Sequence, residues 1–135
     1  PYVIQYHEEL QLLANDFQKS IDIVAISSND VNHYPQDGPE PMKALFKNLG
    51  LRFPYLYDNT QELAKALKAE CTPEFYLFDT NDVLVYRGRL DDASPGKTIK
   101  PTGKDLRGAL SNLLSGKSIT DYQHPSMGCS IKWKR

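Results

Sequence analysis

Residues 70–79 read ECTPEFYLFD, a lone cysteine two positions ahead of a proline at the mouth of an apolar run. Pro73 suits the start of a strand, where its missing N–H breaks no ladder. The run FYLF (75–78) and the run VLVYRGRL (83–90) flank the turn-forming tetrad Asp79-Thr80-Asn81-Asp82, which predicts an antiparallel hairpin. Arg87 and Arg89, spaced by two, are expected on one face of its second strand. Cys71 reads equally as a small buried packing residue or as a redox group, and the rest of the chain has to decide.

Working upstream, Asn59 with Glu62 resembles a capping box ahead of QELAKALKA, where Leu63 and Leu67 share a helical face. FPYLYD (53–58) predicts a short strand interrupted by Pro54, and MKALFKNLG (42–50) predicts a helix stopped by Gly50. Before it, NDVNHYPQDGPEP is rich in turn formers; it either borders a functional site or is a polar connector. IDIVAISS (21–28) is almost uninterrupted in apolar and β-branched residues, which predicts a central strand buried on both faces. Val3, Tyr6, Leu10, Leu13 and Phe17 alternate by three and four, predicting a helix over 2–19.

Downstream, ASPGKTIKPTGK is a loop. Thr102 and Asp105 are candidate caps for a helix carrying Leu106, Leu110, Leu113 and Leu114 up to Gly116. The remainder, KSITDYQHPSMGCSIKWKR, has no clear period and is expected to be an extended arm. A single domain over 1–116 and an arm over 117–135 are therefore expected. The element order is α/β in class. The first helix should be fed by a strand pairing with IDIVAISS, so a first central strand is expected to be missing from this chain. Neighbouring sheet edges would then invite pairing with another chain, for example in a homodimer.

Composition narrows the function. Sixteen basic and 17 acidic residues are interspersed in 135, for a net charge of -1, which argues against nucleic acid as a partner. No apolar run reaches the roughly 18 residues of a bilayer span, so no membrane partner is expected. Two cysteines are too few for a disulfide scaffold and favour a reducing, cytoplasmic setting. The chain starts at Pro1 without a methionine, and its natural N-terminus is expected to lie upstream. His7, His33 and His124 have no metal-ligand spacing to either cysteine. SPGKTIKPTGK lacks the strand-to-helix context of a phosphate loop. Neither a metal nor a cofactor is expected.

Taken together, HEEL, VAISSND, YPQDGPEPM, FPYLYD, ECTPEFYLFD, VYRGRLDD and GCSIKWK resemble the peroxiredoxin-like, AhpC/TSA-type branch of the thioredoxin superfamily. The resemblance implies a thioredoxin-like, three-layer α/β/α fold. In relatives a central strand ending in an Asn-x-Cys-Pro-Tyr-like motif precedes the first helix, and this chain begins at the proline of that motif. The resemblance thus puts the main reactive thiol immediately before Pro1, with Pro1 and Tyr2 beside it at a helix N-terminus, where the helix dipole stabilises thiolate. It makes Thr72-Pro73 a cis-proline turn facing that thiol and pairing with an extended substrate, and Cys71 an accessory or resolving thiol. Cys129 is a possible thiol partner or a surface residue. Arg87 and Arg89 either stabilise a thiolate or sit on a solvated edge.

The implied function is a thiol-disulfide oxidoreductase or peroxiredoxin-like antioxidant protein acting on a thiol, a disulfide or a peroxide. This chain by itself would lack the main nucleophile. The alternative is a non-enzymatic scaffold that binds extended peptides at the cis-proline face.

Overall fold

The computed structural model of the chain describes residues 2–94, 99–119 and 123–135. They fall into two compact units, Leu10–Glu70 with Ser130–Arg135, and Pro1–Glu9 with Cys71–Cys129.

The first of these units holds the second half of helix α1 (Tyr2–Phe17), strand β1 (Ala25–Ser27), a 3-10 turn (Pro35–Asp37), helix α2 (Pro39–Asn48), strand β2 (Tyr55–Tyr57) and helix α3 (Glu62–Ala66). The apolar stripe of α1 buries Leu13 here, and the helix ends two residues before the expected position. Helix α2 starts three residues earlier than Met42. Pro39 occupies its first turn after Gly38, a position where a missing N–H costs nothing. Gly50, at φ +73, ends it as expected. Strands β1 and β2 pair in parallel with Ile26 opposite Leu56. Phe46 of α2 packs edge-on against Tyr55 at 4.9 Å, covering one face of the pair.

That arrangement overturns the expectation of a strand buried on both faces. Ile26 is 39% and Leu56 54% exposed: Ile26 alternates with Ala25 and Ser27, and Leu56 opposite it alternates with Tyr55 and Tyr57, so both lie on the face away from the Tyr55 side that Phe46 covers. The cap of α3 also differs from the sequence reading. Asp58, one residue earlier than Asn59, accepts hydrogen bonds from the Ala64 and Leu63 amides at 3.0 and 3.4 Å. Gln61, only 2% exposed and at φ 63, donates to the Ser28 and Lys132 carbonyls and accepts from the Lys134 amide. A buried amide needs such partners, and these tie the last residues of the chain to this unit.

The other unit contains the first half of α1, strand β3 (Cys71–Thr72), the hairpin of β4 (Phe75–Phe78) and β5 (Leu84–Gly88), and helix α4 (Lys104–Leu114). Strand β3 pairs with a short strand, β6 (Cys129–Ser130). The hairpin is antiparallel as expected, with a bulge at Leu77/Phe78. Its turn is closed by Asp79, whose carboxylate accepts from the Asn81 and Val83 amides at 2.8 and 3.0 Å. The core of this unit is Tyr6, Leu77, Tyr86, Leu90, Ala93, Leu106, Ala109 and Leu110.

Helix α4 is present, but neither Thr102 nor Asp105 caps it; Gly103, in the left-handed region, precedes it. The first-turn amides of Asp105 and Leu106 donate instead to the Leu90 carbonyl at 3.1 and 3.2 Å, and the fully buried Asp91 accepts from the Ala93, Thr102 and Gly103 amides ahead of the helix at 2.7–2.8 Å. A buried carboxylate with three backbone donors is fully satisfied and fixes the loop ahead of the helix.

Candidate functional site

The chemistry-bearing residues of ECTPEFYLFD lie at the junction of β3 and β4. Cys71 and Thr72 form β3, the Thr72–Pro73 peptide is cis, and β4 starts at Phe75. Cys71 is half-buried, Cys129 is exposed, and neither is in a disulfide.

Directly after the proline, Glu74 is turned inward, its side chain only 6% exposed. The Tyr76 hydroxyl donates to one of its oxygens at 3.0 Å, and the Arg87 guanidinium reaches the other at 3.4 Å. Arg87 also lies over the Tyr76 ring, 5.7 Å from its centroid. Burial first, and then the neighbouring Glu74 carboxylate, pushes the Tyr76 phenol well above its ordinary range. Tyr76 therefore stays a neutral donor beside the turn.

Arg89 lies just past β5 and has a different partner, Asp105 in the first turn of α4, at 2.5 Å. Burial opposes its charge most strongly, but the hydrogen bond to Asp105 together with the charges of Asp105 and Asp92 outweighs that and raises its pKa. Tyr86 donates to the Arg89 carbonyl at 2.5 Å, and its own pKa is pushed up to about 12, chiefly by burial. The two arginines are thus held in separate ion pairs, with side chains 35% and 18% exposed. Only Arg87 belongs to the cluster next to Pro73.

At the other predicted part of the site, α1 starts at Tyr2 and has no acidic residue in its first turn to oppose an anion. Pro1 lies outside the described residues, as does the side chain of Tyr2. Gln5 and Tyr6, one turn on, donate to the Ser94 and Ala93 carbonyls at 2.9 and 2.6 Å and fix the start of α1 to the segment after β5.

A covering segment completes the site. Gly128 packs onto the Thr72–Pro73 peptide; a Cβ on it would overlap the Thr72 carbonyl and lie 3.1 Å from the Pro73 nitrogen. Upstream of it, the Gln123 carboxamide accepts from the Arg87 amide at 2.8 Å and donates to the Val85 carbonyl at 3.0 Å. The Arg89 amide donates to the His124 carbonyl at 3.2 Å.

Glu74, Gln123 and Gly128 were not singled out from sequence. Hairpin register offered a signal for the first cluster, since Tyr76 stands opposite Arg87 and Glu74 shares the face of Tyr76. For Gly128 the sequence holds no local signal, because its requirement arises from a contact 56 residues away, at Thr72. Among the described residues no group of three or more His, Cys, Asp or Glu could hold a metal ion.

The Redoxin family model matches residues 1–106. The chain belongs to the Redoxin family. This places the redoxin within the AhpC/TSA-type, thioredoxin-like proteins and its α/β fold among theirs. Two solved structures share that fold. An uncharacterized conserved protein from Geobacillus kaustophilus is 52% identical at a TM-score of 0.94, over 99% of this chain and 71% of that one. A hypothetical protein from Sinorhizobium meliloti is 44% identical at a TM-score of 0.95, over 99% of this chain and 74% of that one. No curated protein matches the redoxin. No helix among the described residues is long and apolar enough to cross a membrane.

Proposed function

We propose that this redoxin is a thiol-disulfide oxidoreductase or peroxiredoxin-like antioxidant protein whose main nucleophile is a cysteine next to Pro1, in the longer protein, at the head of α1. The observation that carries the reading is family membership over residues 1–106, a span that includes both α1 and the Cys71–Pro73 turn. A thiolate at the head of a helix without first-turn acids is favoured by the partial positive charge of that end. In this reading the thiolate attacks one sulfur of a disulfide and expels the other as thiolate, leaving a mixed disulfide. Cys71 then attacks the protein-bound sulfur, releases the second substrate thiol and leaves an intramolecular disulfide, so two protein thiols are oxidised for each substrate disulfide reduced. With a peroxide, the first attack gives a sulfenic acid and an alcohol or water, and Cys71 condenses with the sulfenic acid, releasing water. The Thr72–Pro73 turn presents backbone groups to the substrate, and Arg87, held by Glu74, supplies positive charge near it.

A second reading, a peptide-binding scaffold without catalysis, is favoured by the pairing of β3 with an extended segment of the chain itself. Turnover of insulin disulfides and of hydrogen peroxide by the longer protein separates the two. The redox reading expects turnover that disappears when the cysteine next to Pro1 is changed to serine; rates equal to that variant's would leave only the scaffold.

A further inference from the structure

A cleft of about 520 Å³ lies wholly within the Leu10–Glu70 unit, where the second half of α1 meets the segments that enter β1 and β2. Its volume falls within the roughly 300–1,000 Å³ of protein sites that hold small molecules. Gln11, Asn15 and Gln18 line it from α1, and Asp22, Arg52 and Phe53 from the strand entries.

The helical contribution is a stripe of carboxamides. Positions 11, 15 and 18 are spaced by four and three, so they share one face of α1. Asparagine is a poor helix former, and helix propensity does not account for Asn15 in the interior of α1. Gly50, at φ +73, also lines the cleft, and a Cβ on it would lie 3.3 Å from the Gln11 carboxamide nitrogen. None of the five polar side chains has a hydrogen-bond or ion-pair partner among the described residues. Phe53 is held by the buried Phe46, edge to face at 5.6 Å, and supplies a fixed apolar patch.

These groups specify a ligand chemistry. A carboxamide both donates and accepts, as a hydroxyl group does, whereas the Arg52 guanidinium only donates and the Asp22 carboxylate only accepts. One cation and one anion cancel, so an anion attracted by Arg52 is repelled by Asp22, and a cation the reverse. The lining therefore suits a neutral molecule with many hydroxyl groups and one apolar face.

We propose that this cleft binds a neutral sugar or cyclic polyol of mono- to disaccharide size. Its C–H face lies on Phe53, and its hydroxyls pair with the carboxamides, Arg52 and Asp22. The site uses no residue of the Cys71–Pro73 turn and stands or falls independently of the redox reading.

The test is a titration of the isotope-labelled whole chain, followed by amide chemical shifts, with D-glucose, D-galactose, D-mannose, maltose and myo-inositol. At least one should give saturable shifts at Asn15, Gln18, Ile23 and Phe53 while Leu77 and Tyr86, in the other unit, stay unchanged. Gluconate and glucosamine, charged and of the same size as glucose, should bind at least about tenfold more weakly than the best neutral probe. Arg52→Ala should weaken that probe about tenfold by removing charge-assisted hydrogen bonds. Ala14→Trp, which fills the cleft from its half-buried helical wall, should abolish the shifts. Unchanged amide exchange at Phe46 and Leu51, both buried in the same unit, establishes that each variant keeps the fold. No saturation with any of the five neutral probes would overturn the proposal. So would undiminished binding in either variant, or charged analogues that bind as tightly as the neutral probe.

Discussion

The backbone of Gly128 lies so close to Thr72 that a Cβ on the glycine would overlap the Thr72 carbonyl oxygen. Gly128→Ala should therefore destabilise the protein by about 1–3 kcal/mol, the usual range for forcing an extra methyl into a filled space. Gly108 is the internal control. It lies within α4 and a Cβ there meets nothing within 4 Å, so Gly108→Ala should stabilise by about 0.5–1 kcal/mol. Urea denaturation of both variants checks the pair, and equal shifts of the same sign would contradict the packing described.

Asp91 anchors the segment between β5 and α4 through three backbone amides while fully buried. Removing its carboxylate strands all three donors. Asp91→Ala should cost about 3 kcal/mol or more. Chemical denaturation, read together with amide exchange across α4, would show it; a loss under about 1 kcal/mol would mean that the amides find other acceptors.

Asp58 gives the acid limb of the stability profile. Burial opposes its ionisation, but hydrogen bonds from the Ala64 amide, the Ser28 hydroxyl and the Leu63 amide outweigh it and hold its pKa below the usual 3.8. Since the folded pKa lies under the unfolded one, Asp58 stabilises the fold fully above the unfolded value, and this contribution disappears as pH falls through the folded pKa. Asp30, held low first by its hydrogen bond to His33 and then by the Asn32 amide, acts in the same direction. Thermal melts from pH 6 down to about 2 should show a shallower acid loss for Asp58→Asn than for the unmodified chain. Parallel curves would remove Asp58 from this role.

Much of the architecture was legible from local pattern. The two apolar runs flanking the tetrad Asp79–Asp82 specified the hairpin, and leucines spaced by three and four specified α4, because both signals are carried within the element itself. The caps were not legible, since Asp58 and the Leu90 carbonyl reach their helices through loop geometry rather than from the position next to the first turn. Burial of IDIVAISS was misjudged for a related reason: an apolar composition does not say which layers cover a strand, and α2 covers only the Tyr55 side. The decapeptide at 70–79 carried the Thr72–Pro73 turn, whose peptide is cis. The Gly128 contact depends on chain folding back from a distance, which no local pattern encodes.

The exposed face of β1 and β2 gives a prediction about assembly. Ile26 and Leu56 on this two-stranded sheet, and Val24 just ahead of β1, are all at least 39% exposed, and such surface favours self-association. The chain should form a homodimer at micromolar concentration, and Ile26→Glu should shift it to monomer. Light scattering that gives a monomer for the unmodified chain at every concentration would refute this.

In the function proposed above, Cys71 works as the second thiol of a redox pair. The most direct test is intact mass and disulfide mapping on the longer protein before and after one equivalent of hydrogen peroxide. Loss of two thiols and a new bond joining Cys71 to the proposed cysteine before Pro1 is the expected outcome. If that cysteine oxidises while Cys71 remains a thiol, Cys71 is a packing residue beside Pro73 and the claim is wrong.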